Sequence, residues 1–267
     1  MDVRIGGTMG VRAGACWTFA IAFVAVIAAP AAAITYGIPD VVHRNVGAVI
    51  LDFAGPGAIE WCTGTLVSTR ILLTAGHCTR GLDDLRVPLD VVRVSFEISI
   101  WEEPARWRPV AAWFTHPAFR SGPASDPHDL GVVVLAEPVT DRSPATLASV
   151  GYLDGLVRRG GLRGETFDVV GYGANEYGIV TGYRFVARSL GLSVHGAWLY
   201  MSQSVHRGAG GTCRGDSGGP TFHVPAGGFV VAVTSWGDAR CVATGIAYRV
   251  DTAEAHAFLE AMVSAHG

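Results

Sequence analysis

The chain has 267 residues, 49% hydrophobic and 16% charged, a globular balance with room for one large domain or two small ones. A chain of this length hides roughly 70 to 75% of its unfolded surface, so it needs neither a metal nor a disulfide merely to own a core. The formal net charge of -3 comes with no Lys/Arg cluster and no RNA-binding motif, which excludes nucleic acid as an expected partner. The 35 glycines and 13 prolines are dispersed, so they read as turns between many short strands rather than as a disordered linker, and no internal repeat stands out.

Arg4 and Arg12 precede the uncharged run Ala13 to Ala33, AGACWTFAIAFVAVIAAPAAA, whose small-residue end suits an A-x-A cleavage site. This predicts a signal peptide over residues 1–33, export from the cell, and a mature chain that begins at Ile34. The competing reading is a membrane anchor, against which Pro30 and the alanine-rich end weigh. No other segment could span a bilayer, so no stable membrane association is expected once the signal is removed. Cys16 lies ahead of the apolar stretch, unlike a lipoprotein attachment site, and signal removal leaves Cys62, Cys78, Cys213 and Cys241. In an oxidising compartment these predict disulfides rather than metal ligands or redox thiols, and spacing alone leaves three connectivities open.

From Ile34 onward, short and mostly β-branched runs alternate with turn residues: VGAVILDF (46–53), TGTLVS (63–68), ILLTAGHC (71–78), VVRVSFEISI (91–100), LGVVVL (130–135), TFDVVGYG (166–173), FVVAVTSWG (229–237) and GIAYRV (245–250). Their spacing predicts an all-β, antiparallel barrel or sandwich. The tail differs. Asp251 and Glu254 fit a capping box, and Ala255, Phe258, Leu259, Met262 and Val263 recur at helical spacing, which predicts one terminal helix docked on the core by its apolar stripe.

LLTAGHC puts His77 at the end of an apolar strand, HDLGVVVL puts Asp129 at the start of another, and TCRGDSGGP crowds glycines around Asp216 and Ser217. A hydroxyl is a poor nucleophile at neutral pH; it needs a base to take its proton, and that base needs a carboxylate to fix its tautomer. Read singly, each residue is as well explained as a packed histidine, a turn acid or a loop hydroxyl. Asp126 competes as the carboxylate but precedes Pro127 in a turn-like stretch. His116, His128, His195, His206 and His223 have no paired carboxylate at ligand spacing and read as surface or packing residues. Asp83, Asp84, Asp90 and Glu97 lack a calcium-loop pattern, so neither a metal site nor a cofactor is expected. Gly215 to Gly219 also satisfies the nucleophile elbow of the α/β-hydrolases, but GGPTFHVPAGG (218–228) cannot form the helix that must follow it there.

Taken together and in this order, the stretches resemble the trypsin and chymotrypsin family of secreted serine endopeptidases. WCTGTLVS with LTAGHC is similar to the family's first disulfide hairpin and its histidine, and THPAF followed by DLGVVVL to the approach to its aspartate. VVGYGA is similar to the stretch after the interdomain crossing, CRGDSGGP to the nucleophile motif, and VTSWG with GIAYRV to the strands walling the substrate pocket. The resemblance runs from Ile34 to the terminal helix. It implies a chymotrypsin-like fold, all-β, with two packed antiparallel six-stranded barrels and a C-terminal α-helix. Residues 34–150 would carry His77 and Asp129, and residues 151–267 would carry Ser217.

The resemblance further implies peptide-bond hydrolysis through an acyl-enzyme by a secreted, monomeric enzyme whose partner is its peptide substrate. Ser217 would be the nucleophile, His77 the base and acid, Asp129 the orienting carboxylate, and the N–H groups of Gly215 and Ser217 the oxyanion hole. It implies disulfides Cys62 to Cys78 and Cys213 to Cys241, and an edge at Ser235, Trp236 and Gly237 on which substrate adds as a strand. Gly211 aligns with the base of the specificity pocket, where a trypsin-like enzyme carries aspartate. Gly237 and Gly245 align with its walls, Thr212 adds a hydroxyl, and Ala247 falls where the family often has tyrosine, so a neutral pocket taking a medium or large apolar residue is expected. Arg214 beside the turn reads as solvated. Cleavage after Ala33 would free the Ile34 amine to pair with Asp216, with no propeptide to remove. Two rival functions remain: a silent homologue acting as a binding module, which the filled triad positions disfavour, and an acyl hydrolase on the same fold.

Overall fold

The computed structural model describes Met1, Asp2, Gly6 and residues 34–53, 57–122, 124–226 and 228–267; apart from those first three positions, the expected signal peptide lies outside the described residues. Among the described residues no helix is long and apolar enough to cross a membrane. A short strand β1 (Ile38–Pro39) precedes β2 (Val46–Leu51), β3 (Ile59–Leu66), β4 (Ile71–Thr74), β5 (Val92–Ser95), β6 (Arg108–Thr115) and β7 (Gly131–Leu135). The last six close into an antiparallel barrel in the order β2-β3-β4-β7-β6-β5. β8 (Thr166–Gly171), β9 (Phe185–His195), β10 (Trp198–Ser202), β11 (Pro220–His223), β12 (Phe229–Gly237) and β13 (Thr244–Arg249) form a second closed barrel, to which β1 adds as an edge on β9. Among the described residues three α-helices accompany the barrels: α1 (Gly76–Asp84), α2 (Tyr152–Arg158) and α3 (Ala253–His266).

The two-residue period of a strand decides which core each side chain enters. In β7, Val133 and Leu135 join the first barrel's interior with Val49, Leu66, Leu72 and Val94, while Val132 and Val134 turn outward into a second cluster. That second cluster contains Val46, Ile50 and Leu73 from one barrel and Val170, Phe222 and Val233 from the other, so it is the seam between them. Both faces of these strands are therefore dry, and each such side chain contributes about 1.5 to 3 kcal/mol on burial. A third cluster, with Phe167, Val169, Leu199, Val231 and Ala247, fills the second barrel and includes Ile34.

The N-terminal segment thus belongs to the second barrel. Thr35 exchanges backbone hydrogen bonds of 2.9 and 3.0 Å with Gly211, and Pro39 pairs with Phe185. Beside it, the fully buried Arg184 donates to Asp40 Oδ2 (2.9 Å), to the carbonyls of Val46 and Phe96, and to the Tyr172 hydroxyl, tying the first barrel to the second. Burial alone would raise the Asp40 carboxyl, but the bond and charge of His43, with Arg184 behind them, bring it down to about 2. Disulfides join Cys62 to Cys78, fastening β3 to α1, and Cys213 to Cys241.

The terminal helix is present and buries Ala255, Phe258 and Leu259, whereas Val263 stays exposed. Its cap is Thr252, whose hydroxyl accepts the Ala255 N–H at 3.2 Å, and not the expected Asp251. Asp251 is fully buried; it takes the Arg249 guanidinium at 2.8 and 3.0 Å and the Leu153 N–H at 2.7 Å, so it anchors α2 instead. α1 and α2 were absent from the expected pattern.

Candidate active site

α1 starts immediately after β4, with Ala75 as N-cap and no side chain to cap it. His77 therefore sits in the first turn of a helix and not at a strand end, and its backbone N–H is one of the orphan donors every helix start leaves. Asp129 Oδ1 accepts that N–H at 2.8 Å, while the ring Nδ1 lies 3.0 Å from Oδ2 and 3.2 Å from Oδ1. One carboxylate thus fixes both the backbone and the imidazole plane, turning the other ring edge to a cleft in which the side chain is 38% exposed. Ser235, expected at the substrate edge and in the pocket wall, also donates its hydroxyl to Asp129 Oδ2. Burial pushes the Asp129 carboxyl up, but the bonds and charge of His77, with Ser235, bring it below the ordinary carboxylate range. Asp126 lies apart, accepting the Tyr248 hydroxyl at 2.9 Å.

Ser217 is held from both barrels. Its carbonyl accepts the Thr63 N–H of β3 at 2.9 Å, and the Thr63 hydroxyl donates to the Gly215 carbonyl at 3.1 Å. Behind it, the fully buried Asp216 accepts the N–H groups of Cys213 and Gly173, each at 2.8 Å. Gly215 has φ +95, and a Cβ there would run into the Glu60 carboxylate, so the position requires glycine twice over. Ser235 and Trp236 line both the cavity of about 450 Å³ that contains His77 and Asp129 and the adjoining pocket of about 210 Å³ that contains Ser217. His77 and Ser217 therefore line adjoining parts of one cleft. The hydrogen bonds of His77 all run to Asp129 here, and nucleophile-to-base bonds commonly tighten only when substrate binds.

The pocket expected around Gly211 and Gly245 differs from the sequence-based expectation. Gln203, buried just after β10, pushes its amide between Gly211 and Gly245; a Cβ on either glycine would collide with it. Its Oε1 accepts the Thr212 N–H at 2.7 Å and hydroxyl at 3.1 Å, and its Nε2 donates to the Thr212 carbonyl at 3.2 Å, so it cannot swing away without leaving buried polar groups unpaired. Gly211 and Gly245 therefore face Gln203, and the pocket is walled by Thr212, Ser235, Trp236, Gly237 and the Cys213–Cys241 bridge. Asp238 borders it too, but its carboxylate is occupied by the N–H groups of Arg240, Val242, Ala243 and Thr244. Arg214 is exposed at the rim.

Glu60 was not singled out in the sequence, where it is one acid in the run IEWCTGTL. The residue keeps partial exposure, yet Oε1 is enclosed without a hydrogen-bond partner. Burial, and then the charge of Asp216, push this carboxyl well above its ordinary range. Asp216 is itself pushed up to about 7 by burial, against the pull of its two N–H donors. The chain here is continuous through Ala33 into Ile34, and Asp216 pairs with Cys213 and Gly173 rather than with an Ile34 amine. Two histidines also acquire carboxylates that spacing did not reveal: His128 lies 3.3 Å from Glu254, and His223 lies 2.9 Å from Glu165.

Two closed antiparallel barrels that meet over an Asp-His pair and a serine in a glycine-rich turn define the chymotrypsin-like class of all-β proteins. The family described as Trypsin matches residues 48–255, and the chain belongs to that family. Among curated proteins it is similar to Serine protease ea of Drosophila melanogaster, 28% identical over 221 residues that cover 69% of this chain and 55% of that protein. The chain thus spans about half the length of the curated relative it matches.

Proposed function

We propose that the protein is a secreted serine endopeptidase with a shallow, neutral S1 pocket. The observation that carries this reading is the double grip of Asp129 on the backbone and ring of His77, in the same cleft as Ser217. Ser217 Oγ attacks the scissile carbonyl while the free ring nitrogen of His77 takes its proton; Asp129 holds the opposite nitrogen and stabilises the imidazolium. The N–H groups of Gly215 and Ser217 meet the developing oxyanion, each worth about 3 to 4 kcal/mol of barrier. His77 returns the proton to the leaving amine, and water, activated by the same ring, releases the acyl group from Ser217.

The substrate lies along β12 as an added strand. β11 pairs with β12 only as far as Val233 and β13 covers the other edge, so Ser235, Trp236 and Gly237 keep one edge free. Because Gln203 occupies the floor, the residue before the cut is small and uncharged, in place of the medium or large one expected from the glycines. Phe119, Trp198, Tyr200 and Trp236 line the neighbouring cavity and accept apolar side chains further upstream. Removal of residues 1–33 on export frees the Ile34 amine next to a segment already pinned at Thr35, and that amine supplies the cation Asp216 lacks.

The test is kcat/KM of the exported protein on a peptide library, beside Ser217→Ala and His77→Ala. Each variant should keep both disulfides and the fold while losing several orders of magnitude in turnover. Turnover by Ser217→Ala near that of the wild type would sink the reading.

A further inference from the structure

On the endopeptidase reading above, on which this rests, we propose that Arg120 and Arg214 adapt the cleft to acidic peptides. One substrate carboxylate upstream of the cut meets Arg120, and another, beside the residue in the pocket, meets Arg214. Arg120 lines the cavity that contains His77 and Trp236, and Arg214 lines the adjoining pocket that contains Ser217 and Trp236. Both side chains are exposed. Each is anchored through its backbone: the Arg120 N–H donates to the Pro127 carbonyl at 2.9 Å, and the Arg214 carbonyl accepts the Ala174 N–H at 2.7 Å.

The acids of the cleft are committed elsewhere. Asp129 is held by His77 and Ser235, and the Asp238 carboxylate takes the N–H groups of Arg240, Val242, Ala243 and Thr244. Asp126, the other acid of the loop that carries Arg120, accepts the His128 N–H at 3.0 Å and the Tyr248 hydroxyl at 2.9 Å. Every arginine ion pair among the described residues is made by some other arginine, and the residues outside that set include neither Asp nor Glu. The chain therefore supplies no counter-charge to either guanidinium.

Two cations on a cleft walled by Phe119, Trp198 and Trp236 focus a positive potential where the peptide lies, although the molecule as a whole has a formal net charge of -3. A carboxylate arriving there exchanges water for a guanidinium fork, and the aromatic walls keep solvent from screening the pair. A substrate lysine or arginine would meet like charge at the same places. The pocket itself, closed below by Gln203, sorts by size, so recognition of charge falls to the two arginines.

The test compares kcat/KM for peptides with Glu, Gln or Lys at each position around the cut, in the exported wild type, Arg120→Gln and Arg214→Gln, at low and high salt. The Gln peptide is a neutral reference of the same shape. The wild type should favour Glu over Gln by roughly two- to fivefold at one position upstream and again at one beside the cut, with Lys last. Arg120→Gln should cancel the first preference and Arg214→Gln the second, and salt should shrink both. Binding of the same peptides to Ser217→Ala, read by fluorescence anisotropy, needs no turnover. A Glu preference there, lost on adding Arg120→Gln or Arg214→Gln, beside a wild type that cleaves nothing, would uphold acid recognition and remove only the endopeptidase reading. Equal values for Glu and Gln peptides at every position, or a Glu preference that both arginine variants retain, would overturn the proposal.

Discussion

Gln203 shows how a single side chain can revise the reading of a pocket. Gly211 and Gly245 by themselves would leave a deep slot, but a Cβ on either would meet Gln203. The residue that fills the slot comes from the end of β10, and its amide is tied to Thr212 by three hydrogen bonds that no local pattern encodes. Replacing it should open the floor. Gln203→Ala is expected to shift the kcat/KM ratio for peptides with Phe and with Ala before the cut in favour of Phe. It should also cost about 1 to 3 kcal/mol of stability, because the Thr212 N–H loses its buried acceptor. An unchanged ratio would show that the pocket is limited elsewhere. Glu60 was illegible for a similar reason. Its importance lies in the approach to Gly215 and Asp216, more than 150 residues later, which only the closed fold brings about.

At the scale of elements, the runs of uninterrupted apolar residues were legible and the mixed ones were not. FVVAVTSWG is β12 from end to end, because its buried run Val230, Val231, Ala232 and Val233 is apolar throughout. β9 was missed because its buried face includes Ser189 and Gly191, so the two-residue alternation is present in burial but not in hydrophobicity. α1 was missed because it starts without a capping side chain, and an apolar strand leads straight into it. The start of α3 is capped by Thr252 in place of the expected Asp251, which burial commits to Arg249 and to the Leu153 N–H. Thr252→Ala should cost about 1 kcal/mol, the usual loss for a helix cap. Asp251→Ala should cost about 3 to 5 kcal/mol, since it leaves the Arg249 guanidinium buried without its inner partner. Urea unfolding of the two variants measures the difference, and equal costs would return the cap to Asp251.

For the whole molecule, the uncut chain contains two carboxyls with raised proton affinity in one dry region, Asp216 near 7 and Glu60 well above its ordinary range. Groups whose folded pKa is raised stabilise fully below their unfolded value, and that contribution is lost as pH rises through the folded one. Stability of the uncut chain should therefore fall between pH about 4 and about 7. Asp40, held near 2, acts in the opposite sense and only in more acid solution. Glu60→Gln should flatten part of the fall, and a chain beginning at Ile34 should show less of it, because its amine offsets the Asp216 charge. Melting temperature against pH for the three proteins checks this; a level curve for the uncut chain would refute it. The backbone pairing of Thr35 with Gly211 has a further consequence for how the protein comes into being. The partners are 176 residues apart, so the segment at Thr35 is made well before Gly211 and must wait for it before it can dock. Contacts so distant along the chain are slow to form. Until Gly211 has emerged, Thr35 lacks its backbone partner, and a nascent or truncated chain carries His77 and Asp129 long before Ser217 joins them.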